Sequence, residues 1–327
     1  MKLATFTAPD LIGPRVGLVE DGHIHAFGEG LSMRDVIDAG LDAAHRLAEQ
    51  ALGREEARPL EDVRLEVPLR PASVRDFVAF EGHVEGVRRS VDGRSGVPEA
   101  WYDAPTFYFT NPHALVAPYD DVAFPAACRL RDFELEVAVV VGAPGSSLTV
   151  EHARDHIFGY TVMNDWSARD LQSREMQVGL GPAKGKDFAT TLGPWIVTAD
   201  ELEQSRDAEG FLDLWCTAEV NGVEVGRDLL ANAGWTFEAM IAHASRDSRV
   251  EPGDVLGSGT VGNGGCLAEL WGRHGSQDPP PLQAGDLVTL TVEGIGSITN
   301  RVVVAEPAPV GAQARRRDQA AARQVLR

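Results

Sequence analysis

Two glutamates, Glu134 and Glu136, stand two positions apart in an otherwise apolar segment of this 327-residue chain. Because side chains alternate across a β-strand, a strand at this point places both carboxylates on one face. The opposite face then carries five apolar residues, Phe133, Leu135, Val137, Val139 and Val141. Half-buried neighbouring carboxylates repel each other and are costly to desolvate unless a cation neutralises them. The pair is therefore typical of a Mg²⁺ or Ca²⁺ site, although an edge strand with two solvated glutamates also fits.

A second polar segment, 164–172, follows the strand-like run 158–163. If a helix begins at Asp165, then Asp165, Arg169 and Gln172 occupy positions i, i+4 and i+7 and share one face. That face offers a third carboxylate, a fixed cation and an amide donor. The alternative is an ordinary helix start, with Asp165 as N-cap and an ion pair to Arg169.

Lys186 stands in a short loop, 184–188, ahead of a strand predicted over 195–198. The segment is not a phosphate-binding P-loop, since its first glycine is misplaced and an aspartate follows the lysine. A lysine near a metal can stabilise a developing oxyanion or carbanion, and an ordinary surface lysine is the alternative. His83, seven residues after Asp76, is an equally weak signal on its own.

Residues 257–262 match the pattern G-x-G-x-x-G literally. We reject the dinucleotide interpretation because the residues that follow, 266–271, are predicted to form a strand. No helix N-terminus would then face a pyrophosphate. We expect these glycines to let the backbone approach a ligand closely.

The elements that must position these residues begin with a small N-terminal β-rich domain, predicted over 1–70. Apolar and polar residues alternate over 15–27 on both sides of Asp21-Gly22, which predicts a β-hairpin with a two-residue turn. A capping signal at Ser32 predicts a helix that is interrupted at Gly40.

The remainder of the chain is strand-rich, with turn residues at intervals. Helices are predicted only over 152–156, 165–175 and 231–244. The absence of βαβ alternation argues against a doubly wound parallel sheet.

The formal net charge of −19 argues against nucleic acid or an anionic membrane as a partner. It also means that an anionic substrate needs a local positive pocket. Cys128, Cys216 and Cys266 are widely spaced and form no CxxC motif, which predicts reduced structural thiols. No apolar run is long enough to span a bilayer. We therefore expect a cytoplasmic protein.

Four segments taken together resemble the fumarylacetoacetate hydrolase family. They are Asp132-Phe133-Glu134-Leu135-Glu136-Val137-Ala138, Met163–Gln172, Gly185–Phe188 with Gly193-Pro194-Trp195, and Ser258-Gly259-Thr260 leading to Leu267–Leu270. The resemblance implies an α+β fold that is mostly β, with a catalytic domain of the family's mixed β-sandwich roll type after the small N-terminal β domain. We place the catalytic domain at 71–310 and a basic, disordered tail at 311–327. The resemblance also implies a homodimer.

The resemblance implies a divalent metal, Mg²⁺ first, with Mn²⁺ or Ca²⁺ as alternatives. The implied metal ligands are four carboxylates, Asp76, Glu134, Glu136 and Asp165. The implied catalytic and substrate-binding groups are His83, Glu269, Arg169, Gln172, Lys186, Thr260 and, as a further substrate contact, Tyr108. In this scheme Glu269 orients His83, which activates water. Arg169 and Gln172 hold an oxyanion, and Lys186 stabilises a carbanion.

The implied function is hydrolysis of a C–C bond in an acylpyruvate or another 1,3-diketo acid, with fumarylacetoacetate as the leading candidate, in aromatic catabolism. The partner is then a small anionic 2-oxo or diketo acid. The Tyr- and Arg-bearing segment with which the family's fumarylacetoacetases hold their substrate has no clear counterpart between Gly82 and Pro112. Two alternatives stay open. One is a decarboxylase, hydratase or lyase acting through a metal-bound enolate, and the other is a non-catalytic, metal-stabilised binding protein.

Overall fold

The structure, a computed structural model, describes residues 1–54 and 56–315, so the predicted tail lies mostly outside it. Its strands are β1 Lys2–Thr7, β2 Arg15–Glu20, β3 His23–Ala26, β4 Ala57–Pro59, β5 Arg64–Leu65, β6 Val74–Phe77, β7 Phe107–Thr110, β8 Leu115–Val116, β9 Val122–Phe124, β10 Arg131–Asp132, β11 Leu135–Val141, β12 Ile157–Asp165, β13 Ser167–Ala168, β14 Thr190–Thr198, β15 Trp215–Val220, β16 Val223–Leu229, β17 Val255–Gly257, β18 Leu287–Val292 and β19 Gly296–Val304. Its α-helices are α1 Met33–Ala39, α2 Leu41–Leu52, α3 Glu81–Val87, α4 Ala100–Asp103, α5 Val150–Ala153, α6 Arg169–Met176, α7 Phe237–Ser245 and α8 Leu267–His274.

Twelve strands form one open sheet, which carries four of the predicted site residues, Asp76, Tyr108, Glu136 and Asp165. Its main order is β4-β3-β2-β1-β14-β12-β11-β17-β6-β7, with β5 paired to β1 and β8 to β14. A second sheet has the order β16-β15-β18-β19-β9, and β10 pairs with β13. The fold is α+β and mostly sheet, as predicted. The N-terminal strands join the large sheet through β1 and β14, and the division at residue 70 stays a prediction.

Strand β11 shows how the large sheet is packed. Val137 and Val139 lie in one core together with residues of the five-stranded sheet. Ala138 and Val140 lie in a second core, which includes residues of α1 and α2. The sheet is therefore covered on both faces, and the alternation predicted from the sequence is confirmed.

The N-terminal elements follow their local signals. Asp21 and Gly22 turn the β2–β3 hairpin with φ angles of 46° and 74°, the positive values that a two-residue turn requires. The side chain of Ser32 caps α1, and Gly40, with a φ of 81°, separates α1 from α2. These predictions are confirmed.

Two predicted elements are wrong, and both carry site residues. Asp165 is the last residue of β12 and α6 begins at Arg169, so Asp165 and Gln172 do not share a helix face. The strand predicted over 266–271 is helix α8, with Cys266 as N-cap and Gly275 as its left-handed C-cap. An apolar run this short fits either periodicity, because too few residues are available to separate the two.

Correcting α8 does not restore a dinucleotide site. The Asp132 carboxylate accepts the backbone N–H groups of Leu267 at 2.8 Å and Ala268 at 3.0 Å. It therefore occupies the helix N-terminus to which a phosphate would otherwise bind.

Helix α3 has no counterpart among the predicted helices, although it carries His83. All three cysteines are buried and free of disulfide bonds, in line with the reduced thiols expected. None of the helices within 1–54 and 56–315 combines the length and apolarity needed to cross a bilayer.

Candidate active site

The four carboxylates predicted as metal ligands meet at one end of the central strands. Asp76 lies in β6, Glu136 in β11 and Asp165 at the end of β12, while Glu134 directly precedes β11. Strand β11 pairs with β12 and with β17, which also pairs with β6, so these positions become neighbours. One oxygen from each carboxylate lies within 4.8 Å of the others, and all four side chains are buried. The alternative of solvated edge-strand glutamates is therefore wrong.

Gly257 in β17 lets the backbone approach this carboxylate cluster. A Cβ atom there would lie 2.7 Å from Glu136 Oε2 and 2.9 Å from Asp76 Oδ1, so any side chain would collide with both. Gly259, with a φ of 78°, donates its N–H to Glu136 Oε2 at 3.1 Å. The glycines of 257–262 thus let the backbone approach closely, as expected, and the groups it approaches are the carboxylates of Glu136 and Asp76.

Burial and mutual repulsion oppose ionisation of part of the cluster. Burial raises the pKa of Asp76 well above its usual range, and the charge of Asp165 raises it further. Burial together with the charge of Asp76 raises the pKa of Glu136 in the same way. One oxygen each of Asp76, Glu136 and Asp165 lacks a hydrogen-bond partner. Converging buried oxygens without partners fit a hard divalent cation, which would neutralise them.

Two cationic side chains, Lys186 and Arg169, contact the carboxylate cluster on the side of Glu134. Lys186 contacts Glu134 and donates to Asp165 Oδ2 at 2.6 Å. Arg169 donates to Glu134 Oε1 at 2.7 Å and to Gln172 Oε1 at 3.1 Å. Burial alone would raise the pKa of Glu134, but the charges of Lys186 and Arg169 outweigh it and lower that pKa. Burial would lower the pKa of Lys186, but Asp165 and Glu134 raise it instead.

His83 lies between two carboxylates. Its Nδ1 is 3.8 Å from Glu269 Oε2 and 3.6 Å from Cys266 Sγ, and its Nε2 is 4.0 Å from Glu134 Oε1. Glu269 is fully buried in α8 and its Oε1 lies 2.6 Å from the guanidinium of Arg273. The imidazole thus has a buried carboxyl group on its Nδ1 side, and its Nε2 faces the carboxylate cluster.

The close packing of α3 on α8 sets this arrangement. At Gly86 in α3, a Cβ atom would lie 2.6 Å from Glu269 Cγ. A residue with a side chain at that position would push the helices apart and move His83 away from Glu269.

A cavity of about 410 Å³ opens onto these groups. The predicted site residues that line it are Asp76, His83, Tyr108, Glu134, Glu136, Arg169, Gln172, Lys186 and Thr260. Asp165 and Glu269 do not line it. Asp165 accepts a hydrogen bond from Tyr108 at 2.5 Å as well as that from Lys186. The structure therefore brings all the predicted site residues together in one place, two of them behind the cavity wall.

Sequence reasoning missed three residues of the site. Asp132 is fully buried and accepts from Arg169 Nε at 2.9 Å. Its alternation with Glu134 and Glu136 was a usable signal for a third carboxylate on that side. Arg273 stands four residues after Glu269, a spacing that has meaning only on a helix, and Cys266 was assigned only a structural role.

Comparison with known proteins establishes the family. The model of the family described as "Fumarylacetoacetate (FAA) hydrolase C-terminal" matches residues 72–303 of this chain. This chain belongs to that family of enzymes.

Relatives of this chain carry two kinds of activity in their names. The fumarylacetoacetase of Arabidopsis thaliana is 32% identical over 319 residues, covering 78% of this chain and 75% of that protein. The mitochondrial oxaloacetate tautomerase FAHD2A of Homo sapiens is 31% identical over 314 residues, covering 93% and 92%. The structure of fumarylacetoacetate hydrolase from Exiguobacterium antarcticum superposes with a TM-score of 0.71 at 27% identity, covering 93% and 100%. Hydrolases and tautomerases thus share this fold.

Proposed function

We propose that this protein is a divalent-metal-dependent hydrolase that cleaves the C–C bond of an acylpyruvate or a related 1,3-diketo acid. The observation that carries the proposal is the position of His83, with a buried carboxylate at one nitrogen and the four-carboxylate cluster at the other. A general base beside a metal centre is what activation of water requires.

Asp76, Glu134, Glu136 and Asp165 would hold the metal. When bound there, a divalent cation supplies Lewis-acid polarisation of the two oxygens of a 1,3-dicarbonyl group. Mg²⁺ is the ion we expect, with Mn²⁺ or Ca²⁺ as alternatives, because oxygen ligands suit all three.

The protein's own groups account for the proton and charge movements. Glu269 faces Nδ1 of His83, so a proton taken from water goes to Nε2, and the hydroxide adds to the acyl carbonyl carbon. Arg169 and Gln172 hold the oxyanion that forms. The bond from that carbon to the methylene group then breaks, and its electron pair leaves with the pyruvate enolate, whose charge Lys186 stabilises. Return of the proton to carbon yields pyruvate and a carboxylic acid.

The test of this proposal is the loss of enol absorbance of acylpyruvates, with Mg²⁺ and then with EDTA, together with product analysis. We expect metal-dependent loss and release of two acids. In His83→Ala, kcat should fall by about 10²–10⁴-fold, while metal affinity measured by calorimetry stays within about twofold because His83 is not among the four carboxylates. Undiminished hydrolysis in this variant would show that the base is misassigned.

The human relative favours a second candidate, a tautomerase acting on a 2-oxo acid, because it aligns over nearly the whole of both chains. Tautomerisation moves a proton between carbon and oxygen and consumes no water. A change in enol absorbance with no second acid released would support it, and release of CO₂ from oxaloacetate would instead support a decarboxylase. The homodimer, the cytoplasmic location and a place in aromatic catabolism stay predictions.

A further inference from the structure

The outer wall of the catalytic cavity differs in chemistry from its floor. We define the outer wall as Val78, Val87, Phe107, Met176, Leu180 and Pro182. These side chains are apolar and partly or largely exposed. Among the described residues that line the cavity, the permanent cations are Arg169 and Lys186, and both are buried in ion pairs on the floor.

The loop 177–183 gives the outer wall an apolar tip, and its far end is tied down. The Glu175 carboxylate accepts the backbone N–H groups of Ala183, Lys184 and Gly185 at 2.7–3.0 Å, so the far end of the loop is tied to α6. Leu180, at the tip, is 91% exposed although it lines the cavity. A leucine held open to water at the mouth of a cavity gains free energy when an apolar group covers it.

We propose that the outer wall receives an uncharged, apolar acyl chain, so that the preferred substrates are acylpyruvates with an aliphatic or aryl acyl group. This rests on the proposed function and narrows its substrate class. A dicarboxylic diketo acid such as fumarylacetoacetate would bring its second carboxylate against the outer wall, where none of the described lining residues is a cation that could balance it. The net charge of −19 also disfavours a dianion over a monoanion.

The test compares kcat/KM for acetylpyruvate, longer aliphatic acylpyruvates, an aroylpyruvate and fumarylacetoacetate on the Mg²⁺-loaded enzyme. We expect kcat/KM to rise by about fourfold for each methylene that is fully buried. Fumarylacetoacetate should fall about tenfold or more below an aliphatic acylpyruvate of similar length. The reverse order overturns the proposal. If that reverse order disappears in Arg94→Gln, the second carboxylate reaches Arg94, which lines a neighbouring cavity that shares Met176.

Two matched variants in the loop 177–183 test whether substrate preference depends on the side chain that lines the cavity. Leu180→Lys should raise the ratio of kcat/KM for fumarylacetoacetate over an aliphatic acylpyruvate by about tenfold. Val178→Lys makes the same charge change at a residue that is 75% exposed but does not line the cavity. Its ratio should stay within about twofold of the wild-type ratio. Equal ratios in the two variants overturn the proposal.

A binding measurement separates this proposal from the proposed function. Calorimetry with the Mg²⁺-loaded His83→Ala variant measures binding of the same compounds without turnover. If the wild type hydrolyses none of them but the variant still binds the aliphatic ones more tightly than fumarylacetoacetate, the hydrolase proposal fails and the apolar site stands. Binding that favours fumarylacetoacetate overturns the apolar site whatever the turnover.

Discussion

Glu134 and Glu136 stand two positions apart at the start of β11, yet their surroundings are opposite. Lys186 and Arg169 lower the pKa of Glu134 below its usual range, against the effect of burial. Burial and the neighbouring charge of Asp76 raise the pKa of Glu136. One end of the cluster is therefore neutralised by the protein itself, and the other depends on a cation from outside. Both glutamates are proposed metal ligands, but Glu134 is already paired with two cations, whereas Glu136 forms no ion pair with the described residues.

The largest effect on stability should come from substituting Glu134, the carboxylate that is paired with Arg169 and Lys186. Glu134→Gln leaves Arg169 and Lys186 with one fewer buried anion, and we expect the free energy of unfolding of the metal-free protein to fall by about 3 kcal/mol. Urea denaturation in EDTA measures this. Glu136→Gln is the matched control, and equal destabilisation by the two substitutions would mean that the two ends do not differ.

Removing the metal should have the next largest effect on stability, because it leaves the carboxylates of Asp76 and Glu136 without a neutralising cation. At a metal concentration about 100 times the dissociation constant, binding adds about 2.7 kcal/mol to the free energy of unfolding. We expect EDTA to lower the melting temperature and excess Mg²⁺ to restore it. EDTA presaturated with metal is the control. A melting curve that EDTA leaves unchanged would contradict a metal site at these carboxylates.

The smallest effect on stability should come from relieving the repulsion between Glu136 and Asp76. In the metal-free protein at neutral pH, Glu136→Gln should raise the free energy of unfolding by about 1 kcal/mol, because it removes a buried carboxylate that Asp76 repels. The same substitution should weaken metal binding, which calorimetry measures. Destabilisation of the metal-free protein would show that Glu136 is already neutralised by another group.

The pH dependence of the metal-free protein sharpens this last prediction. The pKa values of Asp76 and Glu136 are raised in the folded state. Between their unfolded and folded values, the native state therefore holds protons that the unfolded state has released. This contribution to stability is complete below the unfolded values and is lost as pH rises. We expect wild-type protein in EDTA to lose stability as the pH rises above the usual carboxyl range, and Glu136→Gln to lose less.

The site could be predicted from sequence wherever one strand sets the geometry. Alternation placed Glu134 and Glu136 on one face because it is a local property of the strand, and the burial of both faces of β11 agrees with it. It left a solvated edge strand open, and only the family resemblance implied a metal-binding role. The hairpin at Asp21 and the cap at Ser32 were predictable for the same reason.

The errors arose where distant groups decide the local structure. Asp165 stays in a strand because its backbone pairs with Thr190 of β14 and its N–H donates to the carbonyl oxygen of Glu134 at 3.3 Å. Helix α8 begins where it does partly because Asp132, more than a hundred residues earlier, accepts its first N–H groups. Neither interaction has a local signature in the sequence.

Asp132 supports two parts of the site at once. Its one carboxylate holds the start of α8 and also the Nε of Arg169. Asp132 thereby connects the first turn of α8, in which Glu269 stands, to the guanidinium of Arg169, which Glu134 and Gln172 also hold. The proposed oxyanion-binding group and the proposed support of the general base therefore share one buried anchor, so a single substitution at Asp132 would disturb both.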